Sequence, residues 1–150
     1  MNFDTTRGTR GRRQPTGPLF RLMNFVVGKR IRKTGELGGS KALILTTVGA
    51  KTGKERTNPL SWFDDGSGGW LIIASAAGAT GNPGWYHNIR RNPDRIRIEV
   101  DGRTVAVDAE QLTGEERALA WKVIGDNPRF AGYQDKTDRV LPIIRLTEKN

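Results

Sequence analysis

Lys51, Lys54 and Arg56 place three cations within six residues, beside Gly49 and Gly53, in the stretch TTVGAKTGKERTNPL that runs from Thr46 to Leu60. Glycines let the backbone turn tightly and approach a ligand closely, and a guanidinium can hold a phosphate or carboxylate bidentately. An anionic group is therefore the natural guest. Cleavage of a nucleoside triphosphate is excluded, because that loop needs four residues between its glycines, Ser or Thr after the lysine, and a following helix. Here three residues separate Gly49 from Gly53, Glu55 follows Lys54, and the next segment reads as a strand. A solvated basic turn with Glu55 pairing locally stays open on this stretch alone. A second small-residue loop, Ser75-Ala76-Ala77-Gly78, leaves room for a flat ring or a phosphate chain against backbone amides, and is longer than a tight hairpin requires.

No acid, base and nucleophile assemble elsewhere. His87 is the one imidazole, and beside Tyr86 it reads as a helix-surface or core residue. The carboxylate pairs Asp64-Asp65 and Glu115-Glu116 fall in turn and cap positions that account for them. The absence of cysteine excludes disulfides, thiolate metal sites and cysteine nucleophiles, and a single histidine excludes metal sites built on several; no metal is expected. If the chain is an enzyme, a cofactor supplies the reactivity and the protein supplies binding and orientation.

The 150 residues fit one domain able to bury its own core. Of the net charge of +9, residues 1–41 contribute ten cations against Asp4 and Glu36, leaving 15 cations against 14 anions in the rest. The high isoelectric point thus belongs to the amino-terminal segment, and nucleic acid is not an expected partner. Met1 to Thr16 is nearly free of apolar residues and reads as a mobile basic tail (1–17), with one folded domain over 18–150. That tail lacks the apolar core of a secretory signal, and no apolar run approaches the ~20 residues of a membrane-spanning helix, so the cytoplasm is the expected location.

Helical spacing of Leu19, Leu22, Met23, Val26, Val27 and Ile31, among Arg21, Lys29, Arg30, Arg32 and Lys33, predicts a basic amphipathic helix from Pro18 to Lys33. Its apolar stripe either packs on its own domain or meets anionic lipid at the inner leaflet. Strands are expected over 42–47, 56–63, 70–75, 96–100, 104–109 and 139–146, with Asp64 to Gly69 and Asp101-Gly102 as hairpin turns. Pro83 opens a short helix, and the pattern T-x-x-E at Thr113 to Glu116 predicts a capping box on a helix ending near Asp126. Strands joined mainly by hairpins imply an α+β fold, with an antiparallel sheet curled into a barrel.

Three runs in order, LILTTVGAKTGKERTNPL, ASAAGATGNPGWYHNIRRNP and YQDKTDRVLPIIRL, together closely resemble the deazaflavin-dependent nitroreductase and quinone reductase family of actinobacteria, over about residues 20–147. The resemblance implies a split β-barrel, like that of flavin reductases and pyridoxamine-phosphate oxidases. It also implies hydride transfer from reduced coenzyme F-420 to a quinone, nitroaromatic or other activated acceptor; with the basic helix at the inner leaflet, a membrane quinone is one candidate. FMN is the alternative cofactor, and a non-catalytic barrel binding a flavin-like or lipid ligand is the alternative function. Carried over by motif, Lys51, Thr52, Gly53 and Arg56 hold the cofactor's phosphate and acidic oligoglutamate tail, and Asn58 and Pro59, at the start of the second strand, border the ring. Ala74, Ser75, Ala76, Ala77 and Gly78 form the loop that meets ring and linker, and Trp85 and Asn88 flank the phosphate. Phe130 and Tyr133 wall the acceptor pocket, with Tyr133 or Ser75 donating a hydrogen bond to the developing anion. The chain departs from the family at Ala50 and Ala76, where relatives carry cations for which Lys54 is a partial substitute, and at Asn127 and Phe130 among the acceptor-site aromatic positions. Reduction of nitroimidazoles is accordingly not implied.

Overall fold

The computed structural model describes residues 18–37, 40–75, 82–127, 130, 132 and 141–149. In chain order the elements are α1 (Pro18–Thr34), β1 (Glu36–Leu37), β2 (Ser40–Val48), β3 (Glu55–Ser61), β4 (Phe63–Asp64) and β5 (Trp70–Ile73). Then follow α2 (Gly84–Arg91), β6 (Arg97–Val100), β7 (Arg103–Gln111), α3 (Gly114–Ile124) and β8 (Ile143–Glu148). The strands form one antiparallel sheet in the order β1-β2-β6-β7-β8-β5-β4, with β3 on the other side of β2. The expected strand over 56–63 is two strands, β3 pairing only with β2 and β4 only with β5. Trp62 alone separates them, so the β3 edge beside β2 and the β4 end of the path lie within about 7 Å along the chain. A flat sheet cannot satisfy that linkage; the sheet curls into the expected split barrel.

Side chains alternate across this sheet. Leu43, Leu45, Ile72, Ile98, Val100, Val105, Val107, Ala109, Ile144 and Leu146 fill the concave side, where Trp85, Tyr86 and Ile89 of α2 join them. On the convex side, Ala42 and Ile44 lie beneath Val27 and Ile31 of α1, while Leu71, Ile73 and Ile143 lie beneath Ala120 and Ile124 of α3. Covering on both faces explains why β2 and β5 read as unbroken apolar runs. The β6–β7 hairpin is as expected: Asp101 (φ 50°) and Gly102 (φ 76°) are both left-handed, the geometry of a two-residue primed turn.

Several further expectations change. The short strand β1 was hidden in the glycine-rich segment after α1. β5 ends at Ile73, although the Ala74 N–H still donates to the Pro142 carbonyl at 2.9 Å. β8 begins at Ile143 rather than Arg139; residues 139 and 140 lie outside the described part. Thr113 is the N-cap of α3, yet its side chain makes no capping bond, and α3 ends at Ile124. The Glu116 of the expected box instead reaches the Arg145 guanidinium at 2.9 Å. The stripe of α1 also divides: Ile31 is buried, but Leu19 is 72% exposed and Leu22, Met23, Phe25 and Val26 are exposed as well. Packing on its own domain accounts only for the carboxyl-terminal half, where Arg32 is fastened to Glu99 at 3.0 and 3.1 Å.

The turn between β4 and β5 is pinned by Asp65, whose side chain is 2% exposed. Its carboxylate accepts hydrogen bonds from the Ser67 N–H (2.7 Å), the Gly69 N–H (2.9 Å) and the Ser67 hydroxyl (2.9 Å), and lies 3.2 Å from Arg145 Nε. Burial alone would raise its pKa; the bonds from Ser67 and Gly69 and the Arg145 charge outweigh burial and hold it below the ordinary aspartate value. A depressed folded pKa contributes stability that is present above the unfolded value of about 3.9 and lost as pH falls through the folded one. Asp65→Ala, which strands these donors, should cost about 2–4 kcal/mol in urea unfolding near neutral pH. That penalty should hold down to about pH 5 and shrink below about pH 4.

Candidate functional site

The connection between β2 and β3 is a closed turn. The Gly49 N–H donates to the Lys54 carbonyl (2.7 Å), the Gly53 N–H to the Gly49 carbonyl (2.9 Å) and the Lys54 N–H to Thr52 Oγ1 (3.3 Å). Each glycine has its own reason. Gly53 sits at φ 71°, and a Cβ on Gly49 would stand 2.7 Å from Thr52 Oγ1. The Ala50 N–H donates to Asn88 Oδ1 at 2.9 Å. Of the six backbone N–H groups from Gly49 to Lys54, four are thus committed inside the protein. A backbone cradle of the phosphate-loop kind is not what the turn offers, and the groups left to meet an anion are its side-chain cations.

Those cations are available. Lys51 and Lys54 are exposed, Arg56 is half-buried, and none of the three makes an ion pair among the described residues. Glu55, which the sequence offered as a local counter-ion, points across β2 and forms a bidentate pair with Arg97 of β6. Its hydrogen bond to Arg97 is the main cause of a carboxyl pKa held below the ordinary range, so Glu55 is charged but turned away from the turn.

The strand register decides what joins the turn. Arg56 lies opposite Thr47, Asn58 opposite Leu45 and Leu60 opposite Leu43, so Arg56 and Asn58 share the concave side. Pro59, opposite Ile44, faces the α1 side, and both residues sit in the middle of β3 rather than at its start. Arg56 and Asn58 are therefore brought together with the turn, while Pro59 reaches the same region only through its backbone. A proline is tolerated because β3 is an edge strand.

Helix α2 braces this corner from the concave side. Asn88 is buried; its Oδ1 takes the Ala50 N–H and its Nδ2 donates to Thr47 Oγ1 at 3.0 Å. Asn92, one turn later, donates from Nδ2 to the Val48 carbonyl at 3.2 Å. Trp85 is 4% exposed and belongs to the core, edge-on to Tyr86, whose hydroxyl donates to Gln111 Oε1 at 2.6 Å. Trp85 thus anchors the helix, and Asn88 holds the turn. Asn92 and Thr47 were missed by sequence reasoning; the available signal was two asparagines at i and i+4 on a helix whose Trp85 and Ile89 are apolar.

The remaining candidates are not brought to the turn by any contact among the described residues. Ala74 and Ser75 are buried at the end of β5, while Ala76, Ala77, Gly78 and Tyr133 lie outside the described residues. Phe130 packs beneath α3, its ring edge-on to Phe63 with centroids 5.6 Å apart. Asn127 Nδ2 reaches Ser40 Oγ at 3.3 Å. His87 stands edge-on to Tyr86 at 5.7 Å, on the helix that braces the turn. Among the described residues no group of three or more His, Asp or Glu is placed to hold a metal ion.

Comparison with known proteins agrees with this architecture. The family model described as F420H(2)-dependent quinone reductase matches residues 7–148. An F420H(2)-dependent quinone reductase of Mycobacterium tuberculosis is 36% identical over 135 residues, covering 87% of this chain and 86% of that protein. The solved structure of an F420-H2 dependent reductase superimposes with a TM-score of 0.62 at 34% identity, covering 71% of this chain and 93% of that one. The haem storage protein HutZ of Vibrio cholerae, at 16% identity and a TM-score of 0.54 over 81% of this chain and 87% of its own, shares the fold alone. With its motif order, its curled antiparallel sheet and a match that spans nearly its whole length, this chain belongs to the F420H(2)-dependent quinone reductase family.

Proposed function

We propose that the chain transfers hydride from reduced coenzyme F-420 to a quinone, with the cofactor's phosphate and oligoglutamate tail held at the β2–β3 turn by Lys51, Lys54 and Arg56. The observation that carries the site is the set of three cations without an ion pair among the described residues, in a body that is otherwise nearly neutral, with Glu55 drawn away to Arg97. The donor set fits the group, since a phosphate and several carboxylates need several cations within reach, and Arg56 offers a fork. When bound, the deazaflavin supplies the hydride. Lys51, Lys54 and Arg56 would hold its anionic groups, Asn58 would border its ring, and the chain would hold a flat acceptor close enough for transfer. Ser75 and Tyr133 are the groups we assign to donate a hydrogen bond to the acceptor oxygen as it gains charge. Nitroaromatic compounds share the flat, electron-poor chemistry of quinones, and we place them among the secondary acceptors.

For location, we infer a cytoplasmic protein that rests on the inner leaflet through α1. Leu19, Leu22, Met23 and Val26 form an exposed stripe at helical spacing, Phe25 flanks it, and Lys29, Arg30 and Lys33 follow. That is the composition of a helix lying in an anionic interface, within reach of a membrane quinone. No described helix is long and apolar enough to cross.

Three measurements test these assignments. Purified protein with reduced F-420 and menadione should oxidise the cofactor well above background; binding without turnover over a broad panel of quinones would leave a sequestering barrel instead. Lys51→Ala and Arg56→Ala should each weaken F-420 binding about tenfold by fluorescence titration, with the melting temperature little changed. The protein should sediment with vesicles rich in anionic lipid, and the combined Lys29→Gln, Arg30→Gln and Lys33→Gln variant should stay in solution; Arg32 is left intact because it pairs with Glu99.

A further inference from the structure

We propose that Asn92 is a positioning residue for the anion turn, setting affinity for the phosphate and tail of the cofactor while leaving the hydride step untouched. The inference rests on the reading of residues 51–56 as the cofactor's anion site. Asn92 closes α2 with its backbone N–H on the Asn88 carbonyl at 2.9 Å, which fixes its side chain over the end of β2. From there Nδ2 donates to the carbonyl of Val48, the last residue before Gly49. Asn88 holds Thr47 and Ala50 on either side of that point. Thr47, Val48 and Ala50 are therefore each tied to one rigid helix.

The physical consequence follows from the turn's composition. A turn with glycines at both ends loses much backbone freedom when it is fixed, and the cations at Lys51 and Lys54 must be ordered when an anion binds. Ties that fix the turn beforehand reduce the ordering cost charged against binding. The Val48 carbonyl is the hinge at which the chain leaves the sheet, so a donor there holds the angle at which the turn departs. A hydroxyl or methyl at position 92 is too short to span the distance Asn92 covers.

The test uses two ligands: F-420 itself, and the deazaflavin ribityl alcohol that shares the ring but lacks phosphate and tail. Asn92→Ala should raise the dissociation constant for F-420 about fivefold to tenfold. The tail-less ligand should bind as to the parent, and kcat at saturating F-420 should be unchanged. Asn92→Asp, which sets an acceptor against the Val48 carbonyl and a negative charge beside the turn, should lose more. A general weakening of the fold would move both ligands together, and that result overturns the assignment. Lys51→Ala is measured in parallel. If it weakens F-420 binding while neither Asn92 variant does, the turn is the anion site and the positioning role is wrong; if Lys51→Ala has no effect, both readings fall. Asn92→Ser repeats the comparison should the alanine variant not fold.

Discussion

One covalent constraint shapes the molecule: β3, the edge strand beside β2, and β4, at the far end of the strand path, are consecutive in the chain, with only Trp62 between them. Sheet twist alone would leave those ends far apart. Joining them forces the curl and creates a concave side deep enough to take a helix. Helix α2 fills that side with Trp85, Tyr86 and Ile89, and its last turn comes to lie against the end of β2. The seam is itself secured, since the Trp62 N–H donates to the Lys41 carbonyl at 3.0 Å and Lys41 Nζ stands 5.0 Å from the centre of the Trp62 indole. The corner where β2 turns into β3 is thus held both by the bonds within its own turn and by α2, which the curl of the sheet brings against it.

Charge is partitioned to match. Arg145 is surrounded by Asp65, Glu110 and Glu116 at 2.9–3.4 Å, and its hydrogen bond to Glu116 is the leading cause that keeps its pKa raised. Arg97 takes Glu55, and Arg32 takes Glu99. Carboxylates are thereby consumed on the sheet and on the convex side, and the cations of the β2–β3 turn are left over. Net charge gives no hint of this, because outside the amino-terminal segment the count of cations and anions is nearly even. What matters is which pairs the register allows.

The elements that follow a strict period were legible in the sequence. The alternation of Ile96 to Ala109 around Asp101-Gly102 specifies its hairpin without outside help, and the run Ala42 to Thr47 can only be buried on both faces. The stretch 49–56 was legible as a glycine-flanked turn carrying three cations, and the structure leaves those cations without an ion pair among the described residues. Three features were hidden for physical reasons. The break at Trp62 interrupts a continuous strand pattern, and only the pairing partners of β3 and β4 reveal it. The direction of Glu55 depends on which strand lies two places away, and that strand is some forty residues on in the chain. Thr113 to Glu116 has the spacing of a capping box, but Arg145 of β8 competes for Glu116 and wins. Asn58 and Pro59 are neighbours in sequence and yet face opposite sides, which follows from strand alternation once β3 is known to begin at Glu55.

The closed form of the turn also bears on the kind of recognition we propose for it. A phosphate loop grips one anion with several backbone N–H groups of fixed geometry, and gains strength and selectivity from that fit. Here the N–H groups of Gly49, Ala50, Gly53 and Lys54 are already bonded within the protein, and the cations at Lys51 and Lys54 stand on long exposed side chains. Attraction of that kind extends over several ångströms, is screened by salt, and places weak demands on the exact position of each charge. It suits a guest whose anionic groups are spread along a flexible tail rather than concentrated in one phosphate. In that proposal the rigid part of the recognition falls to Arg56, half-buried on the concave side opposite Thr47, and to the asparagines of α2 bonded to Thr47, Val48 and Ala50. The proposed site thus combines a half-buried guanidinium fork near the sheet with exposed cations at its rim.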